Sequence, residues 1–138
     1  MASANDWNQN IIKEFRENAG IVGGPFEGAT MLLLHHKGRK SGTQRVNPLV
    51  CLEDGDRYLI FASKGGSPEH PDWYRNLLAN PGATIEVGTD KFAVEAAELK
   101  GEERDRLYAK NAGLRPAFGQ YQERTTRVIP VVALTQKA

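Results

Sequence analysis

Two basic segments that contain glycine are the residues best suited to bind a charged ligand. Residues 37–43 have the sequence Lys-Gly-Arg-Lys-Ser-Gly-Thr and residues 64–68 have Lys-Gly-Gly-Ser-Pro; we call them loop 1 and loop 2. Each follows a predicted strand, and loop 2 precedes a predicted helix. Free backbone N–H groups in glycine turns and at a helix N-terminus bind anions. The two loops could therefore converge on one phosphate-bearing ligand, although glycines that merely permit positive φ in turns give the same pattern.

The distribution of charge favours the same region. The chain has 18 Lys and Arg residues against 17 Asp and Glu residues, a net charge of +1, and no acidic residue lies between Glu27 and Glu53. A basic face on a nearly neutral protein indicates a small anionic ligand. A general nucleic-acid binder would be strongly basic overall, so that class is not expected. A solvated hairpin tip is the alternative interpretation of the charge.

Other chemistries lack the residues that they need. His35 and His36 are adjacent on a predicted strand and point to opposite faces, and His70 stands alone, so no metal site is expected. Cys51 alternates with apolar neighbours, as a buried thiol does. The sequence has no Gly-x-Ser-x-Gly elbow, Walker A loop or dinucleotide fingerprint. Hydrolysis and nucleoside-triphosphate chemistry are therefore not expected.

The elements that must position the two loops follow from periodicity and turn signals. Helices are predicted over about 6–20, 70–79, 101–113 and 116–123, and strands over 29–36, 45–52, 57–63, 83–88, 91–99 and 128–134. Pro130 favours an edge or bulge position for the last strand. Because hairpins dominate, the predicted fold is mainly β with peripheral helices (α+β), and a small antiparallel barrel would remove the sheet edges.

Length and composition indicate one compact domain. The chain has 138 residues, about one domain's length, and we expect a single domain over 1–138 with residues 1–27 as an N-terminal helix and linker. One cysteine excludes an intrachain disulfide and fits a reducing cytoplasm. No apolar run approaches the roughly 20 residues of a membrane span. The amphipathic N-terminal helix is expected to pack on its own barrel, with a partner surface or a peripheral membrane contact as alternatives.

Five motifs occur in an order typical of one family. They are Gly-Arg-Lys-Ser-Gly at 38–42, Arg-Val-Asn-Pro-Leu at 45–49, Ala-Ser-Lys-Gly-Gly at 62–66, Pro-Asp-Trp-Tyr-Arg-Asn-Leu at 71–77 and Arg-Thr-Thr-Arg-Val-Ile-Pro-Val at 124–131. From about residue 29 to 134 the chain resembles the deazaflavin-dependent nitroreductase and quinone reductase family. The resemblance implies a split β-barrel of the flavin-nucleotide-binding type. It also implies coenzyme F420, a 5-deazaflavin with a phosphate and a glutamate tail, as the cofactor; flavin mononucleotide (FMN) is the alternative.

The resemblance further implies which residues hold the cofactor. The residues expected to hold the phosphate and the tail carboxylates, or to face the cofactor, are Arg39, Lys40, Ser41, Arg45 and Lys64. Those expected to shape the pocket are Asn47, Pro48, Gly65 and Gly66.

Ser63 and Tyr121 are the candidate catalytic residues. In the family a serine before the cofactor lysine and tyrosines from the C-terminal helical segment flank the substrate cavity, and Ser63 and Tyr121 stand at these positions. Tyr121 could donate a hydrogen bond to a developing oxyanion. Phe118 and Arg115 depart from the aromatic pattern of the nitro-drug reductases, which favours a smaller or more anionic acceptor. Lid packing is the alternative role for Phe118 and Tyr121.

The predicted function is hydride transfer from reduced F420 to a small organic acceptor such as a quinone, an enone or a nitroaromatic. The alternatives are an FMN oxidoreductase of the same fold and a non-catalytic carrier of deazaflavin or another anionic ligand. A small-molecule acceptor is the expected partner, and a homodimer remains open. Reversing the charge of Arg104, on a predicted helix apart from both loops, is expected to change deazaflavin binding little, whereas Lys40→Glu is expected to weaken it.

Overall fold

The computed structural model describes residues 4–23, 30–63, 66 and 69–137. It contains four helices and six strands in these ranges: α1 (Ala4–Glu17), β1 (Met31–Lys37), β2 (Gln44–Asp54), β3 (Arg57–Phe61), α2 (Asp72–Ala79), β4 (Gly82–Val87), β5 (Asp90–Leu99), α3 (Gly101–Leu114), α4 (Ala117–Glu123) and β6 (Val131–Gln136). No helix in the described ranges is long and apolar enough to cross a membrane.

The six strands form a closed antiparallel barrel in the order β1-β2-β3-β6-β5-β4. The predicted barrel with peripheral helices is confirmed. β2 is shared between two neighbours, because Gln44 to Val50 pair with β1 whereas Cys51 to Asp54 pair with β3. In the described part of the chain, the first half of β2 therefore has no strand along its second edge. We call this the open edge of β2; β3 ends at Phe61, which pairs with Val131 of β6.

The barrel interior is filled by side chains that alternate along the strands. Leu32 and Leu34 of β1 point inward with Ile60, Ile85 and other residues, and all four are fully buried. Three residues of α2, namely Trp73, Tyr74 and Leu77, join the same cluster. The apolar face of α2 thus closes one mouth of the barrel, near the end of β1.

Two helical layers cover the outside. Ile11, Ile12 and Phe15 of α1 pack on Met31 and Leu33, so β1 is buried on both faces, as its continuous apolar run predicts. This confirms that α1 packs on its own barrel. Helices α3 and α4 cover β3 and β6 through a second cluster of buried residues, which includes Leu59, Phe61, Leu107, Tyr108, Phe118 and Ile129.

The prediction for the last strand was wrong in one respect. Pro130 is neither on an edge nor in a bulge: β6 begins at Val131 and is paired on both sides, with β3 and β5. Because the proline stands just before the strand, its missing N–H removes no ladder hydrogen bond, while its carbonyl accepts from Ala62 N at 3.0 Å. Val128 lies outside the strand and is exposed.

An ion-pair cluster fastens α1 to the barrel. Glu86 of β4 accepts from Arg16 Nη2 at 2.8 Å and from His35 Nε2 at 2.6 Å. The hydrogen bond from Arg16 is the main reason why the pKa of Glu86 falls to about 2, with the bond from His35 contributing against the opposing effect of burial. His35 therefore faces α1, whereas the contacts of His36 lie on the other face of β1, as predicted.

We expect this cluster to make folding stability dependent on acid pH. The pKa of Glu86 is below its ordinary value of 4.5, so its stabilisation is complete above pH 4.5 and disappears as pH falls towards about 2. Because Arg16 is half exposed, the contribution is roughly 1–2 kcal/mol. Urea unfolding at pH 7, 4 and 3 should show that the stability cost of Glu86→Gln is largest at pH 7, smaller at pH 4 and smallest at pH 3. An equal cost at all three pH values would contradict this.

Candidate cofactor site

Loop 1 is a closed turn held by its own backbone. Gly38 N donates to Thr43 O and Gly42 N donates to Gly38 O, both at 2.9 Å. Gly42 has φ of +69°, so this glycine does serve the turn conformation. A Cβ on Gly38 would lie 2.7 Å from Ser41 Oγ, so the hydroxyl of Ser41 would have to move to admit a side chain there. The turn therefore exposes its basic side chains while its glycines stay in contact with the loop itself.

The predicted cationic residues of loop 1 line one cavity. Its volume is about 220 Å³, and it is lined by Gly38, Arg39, Lys40, Ser41, Arg45, Asp72 and Asn76. Lys40 and Arg45 have no carboxylate partner among the residues that the structure describes, whereas Arg39 Nη2 lies 3.7 Å from an oxygen of Asp72. Two uncompensated cations on one cavity favour an anionic ligand.

Ser41 complements these cations as a neutral donor. Its Oγ accepts a hydrogen bond from Thr43 N at 3.2 Å. The hydroxyl hydrogen of Ser41 therefore remains for another acceptor. Arginine, lysine and hydroxyl donors converging on one space are the groups that bind phosphate and carboxylate oxygens.

Asn47 and Pro48 lie on β2 behind loop 1 and do not line this cavity. Both are half-buried in the segment of β2 that has the open edge. Asn47 Oδ1 accepts from His36 Nε2 at 2.6 Å, and Pro48 lies opposite Leu33 in the strand register. Their predicted role in shaping a pocket remains a prediction.

Sequence reasoning missed Asn76 and assigned no role to His36. Asn76 is 3% exposed and its Oδ1 accepts from Arg39 N at 3.1 Å and from Arg39 Nη1 at 3.0 Å. A signal was available, because Asn76 belongs to the motif at 71–77 that carries part of the family resemblance. The contact to loop 1 joins positions 37 residues apart, which no local pattern reveals.

Loop 2 lies mostly outside the described residues, which include only Gly66 of this loop. Lys64 and Gly65 are therefore not placed by the structure. Gly66 N donates to Ser63 O at 2.9 Å, and a Cβ on Gly66 would lie 2.8 Å from the carbonyl oxygen of Tyr121. Ser63 is buried. The predicted catalytic residues Ser63 and Tyr121 thus flank the same glycine.

Arg127 anchors both ends of loop 2. Its guanidinium donates to Ala62 O at 3.0 Å and to Ser63 O at 2.8 Å, just before the loop. It also donates to His70 Nδ1 at 3.0 Å, just after the loop. Burial lowers the pKa of His70, and the neighbouring charge of Arg127 lowers it further, so the neutral ring is the acceptor. The Arg127 side chain thus joins residues on either side of loop 2 in the sequence.

An aromatic cluster lies beside loop 2. The ring of Phe118 is 5.3 Å from that of Tyr121 and 5.6 Å from that of Phe61. Tyr108 of α3 donates its hydroxyl to Phe118 O at 2.5 Å, which ties α4 to α3. Tyr121 is half-buried, with its ring partly covered by Arg124. The helix α4 thus brings an aromatic surface to the side of Ser63.

Loop 1 docks on α2. It contacts Asp72 in the first turn of this helix and Asn76 in the next turn. Loop 2 precedes the same helix in the sequence. Its residues other than Gly66 lie outside the described part of the chain, so the predicted convergence of the two loops remains a prediction.

We expect Gly66→Ala to destabilise the contact between loop 2 and α4. Gly66 has φ of +83°, and its Cβ would meet the backbone of α4. Gly55→Ala is the matched control, because Gly55 also has positive φ but open space around it. Thermal unfolding should show a loss for Gly66→Ala that exceeds the control by at least about 1 kcal/mol. Equal losses would mean that only the backbone conformation matters.

Cys51 and Arg104 have structural environments. Burial raises the pKa of the Cys51 thiol to about 12, so it stays protonated and is no nucleophile. The small effect of Arg104→Glu on cofactor binding remains a prediction, but the contacts of Arg104 show that this substitution would disturb the fold. Its guanidinium donates to Ile129 O at 2.8 Å and to Gln122 Oε1 at 2.7 Å, and only 11% of its side chain is exposed.

Within the described ranges, no group of three or more His, Cys, Asp or Glu side chains is placed to hold a metal ion.

Comparison with known proteins identifies the family. The model of the F420H(2)-dependent quinone reductase family matches residues 7–136 of the chain. The chain belongs to this family. An F420H(2)-dependent quinone reductase of Mycobacterium tuberculosis is 42% identical over 129 residues, which cover 89% of this chain and 85% of that protein.

Two solved structures of similar chains have the same barrel fold. An F420-H2 dependent reductase (FDR-A) is 38% identical with a TM-score of 0.70, covering 76% of this chain and 93% of that one. A chain described as a domain-swapped dimer is 34% identical with a TM-score of 0.71, covering 96% and 99%. The predicted split β-barrel is thus confirmed, and membership makes the protein an oxidoreductase whose cofactor is F420.

The donor set of loop 1 fits the acidic part of that cofactor. A phosphate and carboxylates need several cationic or hydroxyl donors in one place. Arg39, Lys40, Ser41 and Arg45 supply them around one cavity, and Asp72 is the single carboxylate in its lining.

Proposed function

We propose that this protein transfers hydride from reduced F420 to a quinone or a related small organic acceptor, with loop 1 holding the anionic tail of the cofactor. The observation that carries the proposal is the cavity on loop 1, where Lys40 and Arg45 have no described carboxylate partner. Arg39 and Ser41 add donors to the same space. Lys64, Gly65 and Gly66 of loop 2, with Asn47 and Pro48, are proposed to complete the binding site.

The protein contributes to the reaction by binding the cofactor and the acceptor, by orienting them and by excluding water. When bound, F420H2 supplies a hydride from C5 of its deazaflavin ring. We propose that a ligand anchored on loop 1 extends along the open edge of β2 towards the aromatic cluster of α4, which packs on Phe61 at the end of β3. An acceptor that gains a hydride also needs a proton or a hydrogen bond on its oxygen. We assign this to the hydroxyl of Tyr121, with Ser63 as the second polar group.

The acceptor class follows from the groups around α4. Phe118 is buried against Phe61, and Arg115 is half-buried at the end of α3. An arginine at this position favours acceptors with carbonyl or carboxylate oxygens, such as quinones and enones. Nitroaromatics remain the third proposed acceptor class.

The direct test is an anaerobic assay with purified protein, F420H2 and menadione as the quinone. Oxidation of F420H2 that depends on both protein and menadione would support the proposal, with cyclohexenone and a nitrobenzoate as the other acceptors. Reduced FMN in place of F420H2 is the control. Faster turnover with FMN would favour a flavin oxidoreductase, and tight F420 binding without turnover would favour a carrier.

We expect Tyr121→Phe to reduce kcat with menadione by roughly tenfold to a hundredfold, because one donor to a developing oxyanion is lost. The dissociation constant of F420 should change little, since loop 1 is unaltered. Tyr58→Phe is the matched control, because Tyr58 lies on β3 and contacts Phe92 of β5. If kcat is the same for both variants, Tyr121 serves only in packing.

We also propose that the protein forms a homodimer in the cytoplasm. A similar chain is described as a domain-swapped dimer. The large apolar side chains Ile21, Leu78, Leu114 and Val128 are exposed in the single chain. Light scattering coupled to size exclusion gives the mass directly, and a mass of one chain at micromolar concentration would contradict the proposal.

A further inference from the structure

A chain of buried hydrogen bonds runs from loop 1 into the barrel. Asn76 Nδ2 lies 3.0 Å from His36 Nδ1, and His36 Nε2 lies 2.6 Å from Asn47 Oδ1. Asn76 Oδ1 accepts from the backbone and the guanidinium of Arg39. His36 and Asn76 are each 3% exposed. These hydrogen bonds thus link β1, β2 and α2 to Arg39 of loop 1.

The direction of every bond in this chain is fixed by Arg39. Arginine and a backbone N–H can only donate, so the atom of Asn76 that faces them must be its carbonyl oxygen. Asn76 then presents its amide nitrogen to His36, which requires Nδ1 to be an acceptor. The proton of the neutral imidazole is therefore on Nε2 and is donated to Asn47 Oδ1. This is one tautomer and one orientation of each amide.

From this we infer that His36 and Asn76 are positioning residues for the anion-binding loop, and that the cofactor binds more tightly when His36 is neutral. The inference rests on the proposed function of loop 1. A protonated His36 carries hydrogen on both nitrogens, so Nδ1–H would face the donor atoms of Asn76. Asn76 could satisfy it only by turning its carbonyl oxygen towards His36, which would remove both acceptor contacts from Arg39. Loop 1 would then lose the anchor of its first arginine.

The surroundings of His36 favour the neutral form. Burial is the largest cause that lowers its pKa, the bond to Asn47 opposes this, and the charge of Arg45 on β2 lowers it again. Asp72 on α2 raises the pKa and His35 on β1 lowers it, both more weakly. Because the pKa of His36 in the folded protein is below 6.5, its neutral form predominates at pH 7. The neutral form is lost only when pH falls through that lowered pKa.

The expected pH dependence has the opposite sign to simple electrostatics. A positive His36 near loop 1 would attract an anion and strengthen binding at acid pH. Loss of the contacts between Arg39 and Asn76 should instead weaken cofactor binding at acid pH. We expect the affinity of the wild-type protein for F420 to fall by about fivefold to tenfold once His36 is protonated.

The experiment compares F420 binding between pH 5 and pH 8 in the wild type, His36→Asn and His36→Gln. Asparagine can place an acceptor near the former Nδ1 and does not titrate. The affinity of His36→Asn for F420, relative to that of the wild type, should therefore improve as pH falls. Glutamine reaches the former Nε2 position and leaves Asn76 without its acceptor, so it should bind less tightly than His36→Asn throughout. Titration of F420 itself cancels, because every comparison is made at one pH. His35→Asn, on the other face of β1, should keep the wild-type pH profile.

A second measurement uses the wild type alone and needs no ligand. Nitrogen NMR of the imidazole should show the Nε2–H tautomer for His36, and the Arg39 amide signal should titrate with it. The Nδ1–H tautomer, or binding that tightens in acid in the wild type relative to His36→Asn, would overturn the inference. Absence of F420 binding at every pH would overturn the proposed function, and the NMR result would still decide the hydrogen-bond chain.

Discussion

Lys40→Glu should weaken F420 binding by more than tenfold. Lys40 lines the cavity on loop 1, and no carboxylate among the described residues pairs with it. Its charge is therefore available to the ligand. Losing one charge-assisted contact commonly costs about 1.5–3 kcal/mol, which is roughly tenfold to a hundredfold, and the new carboxylate adds repulsion. Fluorescence titration of F420 gives the two dissociation constants directly.

Lys110→Glu is the matched control for this charge reversal. Lys110 is exposed on α3 and has no ion pair among the described residues, so the net charge changes equally without touching loop 1. Arg104→Glu is not a suitable control, because the guanidinium of Arg104 donates hydrogen bonds to the carbonyl oxygen of Ile129. Raising the salt concentration should reduce the difference between wild type and Lys40→Glu. Equal weakening in both variants would mean that the anionic tail does not bind at loop 1.

Arg127→Met should cause the largest loss of stability among the site variants and should also lower turnover. The guanidinium satisfies the carbonyl oxygens of Ala62 and Ser63 and bonds His70. Methionine keeps much of the apolar stem but supplies no donor. Ala62 O would lose its described donor, whereas Ser63 O would keep the bond from Gly66 N. A buried carbonyl left without a partner costs about 1–3 kcal/mol, and with the other lost bonds we expect a loss of roughly 2–3 kcal/mol. Urea unfolding measures it.

The control for Arg127→Met is Arg106→Met on the exposed side of α3. We expect Arg106→Met to change the free energy of unfolding by less than about 0.5 kcal/mol, as most surface substitutions do. At a temperature where both variants are folded, Arg127→Met should raise KM for F420H2 because loop 2 loses its anchor. A stability loss with unchanged kinetic constants would show that Arg127 supports the fold but not the site.

The fold was predictable because its strongest signals are local. The continuous apolar run at 31–34 predicted a strand buried on both faces, and α1 and the barrel interior do cover its two sides. Turn residues separated the hairpins almost at the observed bounds. Pro130 misled the prediction because the position of β6 between β3 and β5 is decided by pairing between strands distant in the sequence.

The candidate site was predictable only in its charged surface. Loop 1 is contiguous in the sequence, so Arg39, Lys40 and Ser41 could be recognised together. Asn76 and His36 could not, because their roles arise from the register that brings β1 beside β2 and from the docking of α2. Arg127 was part of a recognised motif, yet its partners are backbone carbonyls whose need for a donor exists only in the folded chain.

Parallel titration of the wild-type protein with F420 and with FMN tests the central claim most directly. Loop 1 offers several cationic donors, and F420 carries tail carboxylates in addition to a phosphate, so more of its charge can be matched. We predict saturable binding of F420 and at least about tenfold weaker binding of FMN. FMN binding as tight as that of F420, or no binding of F420, would contradict the account.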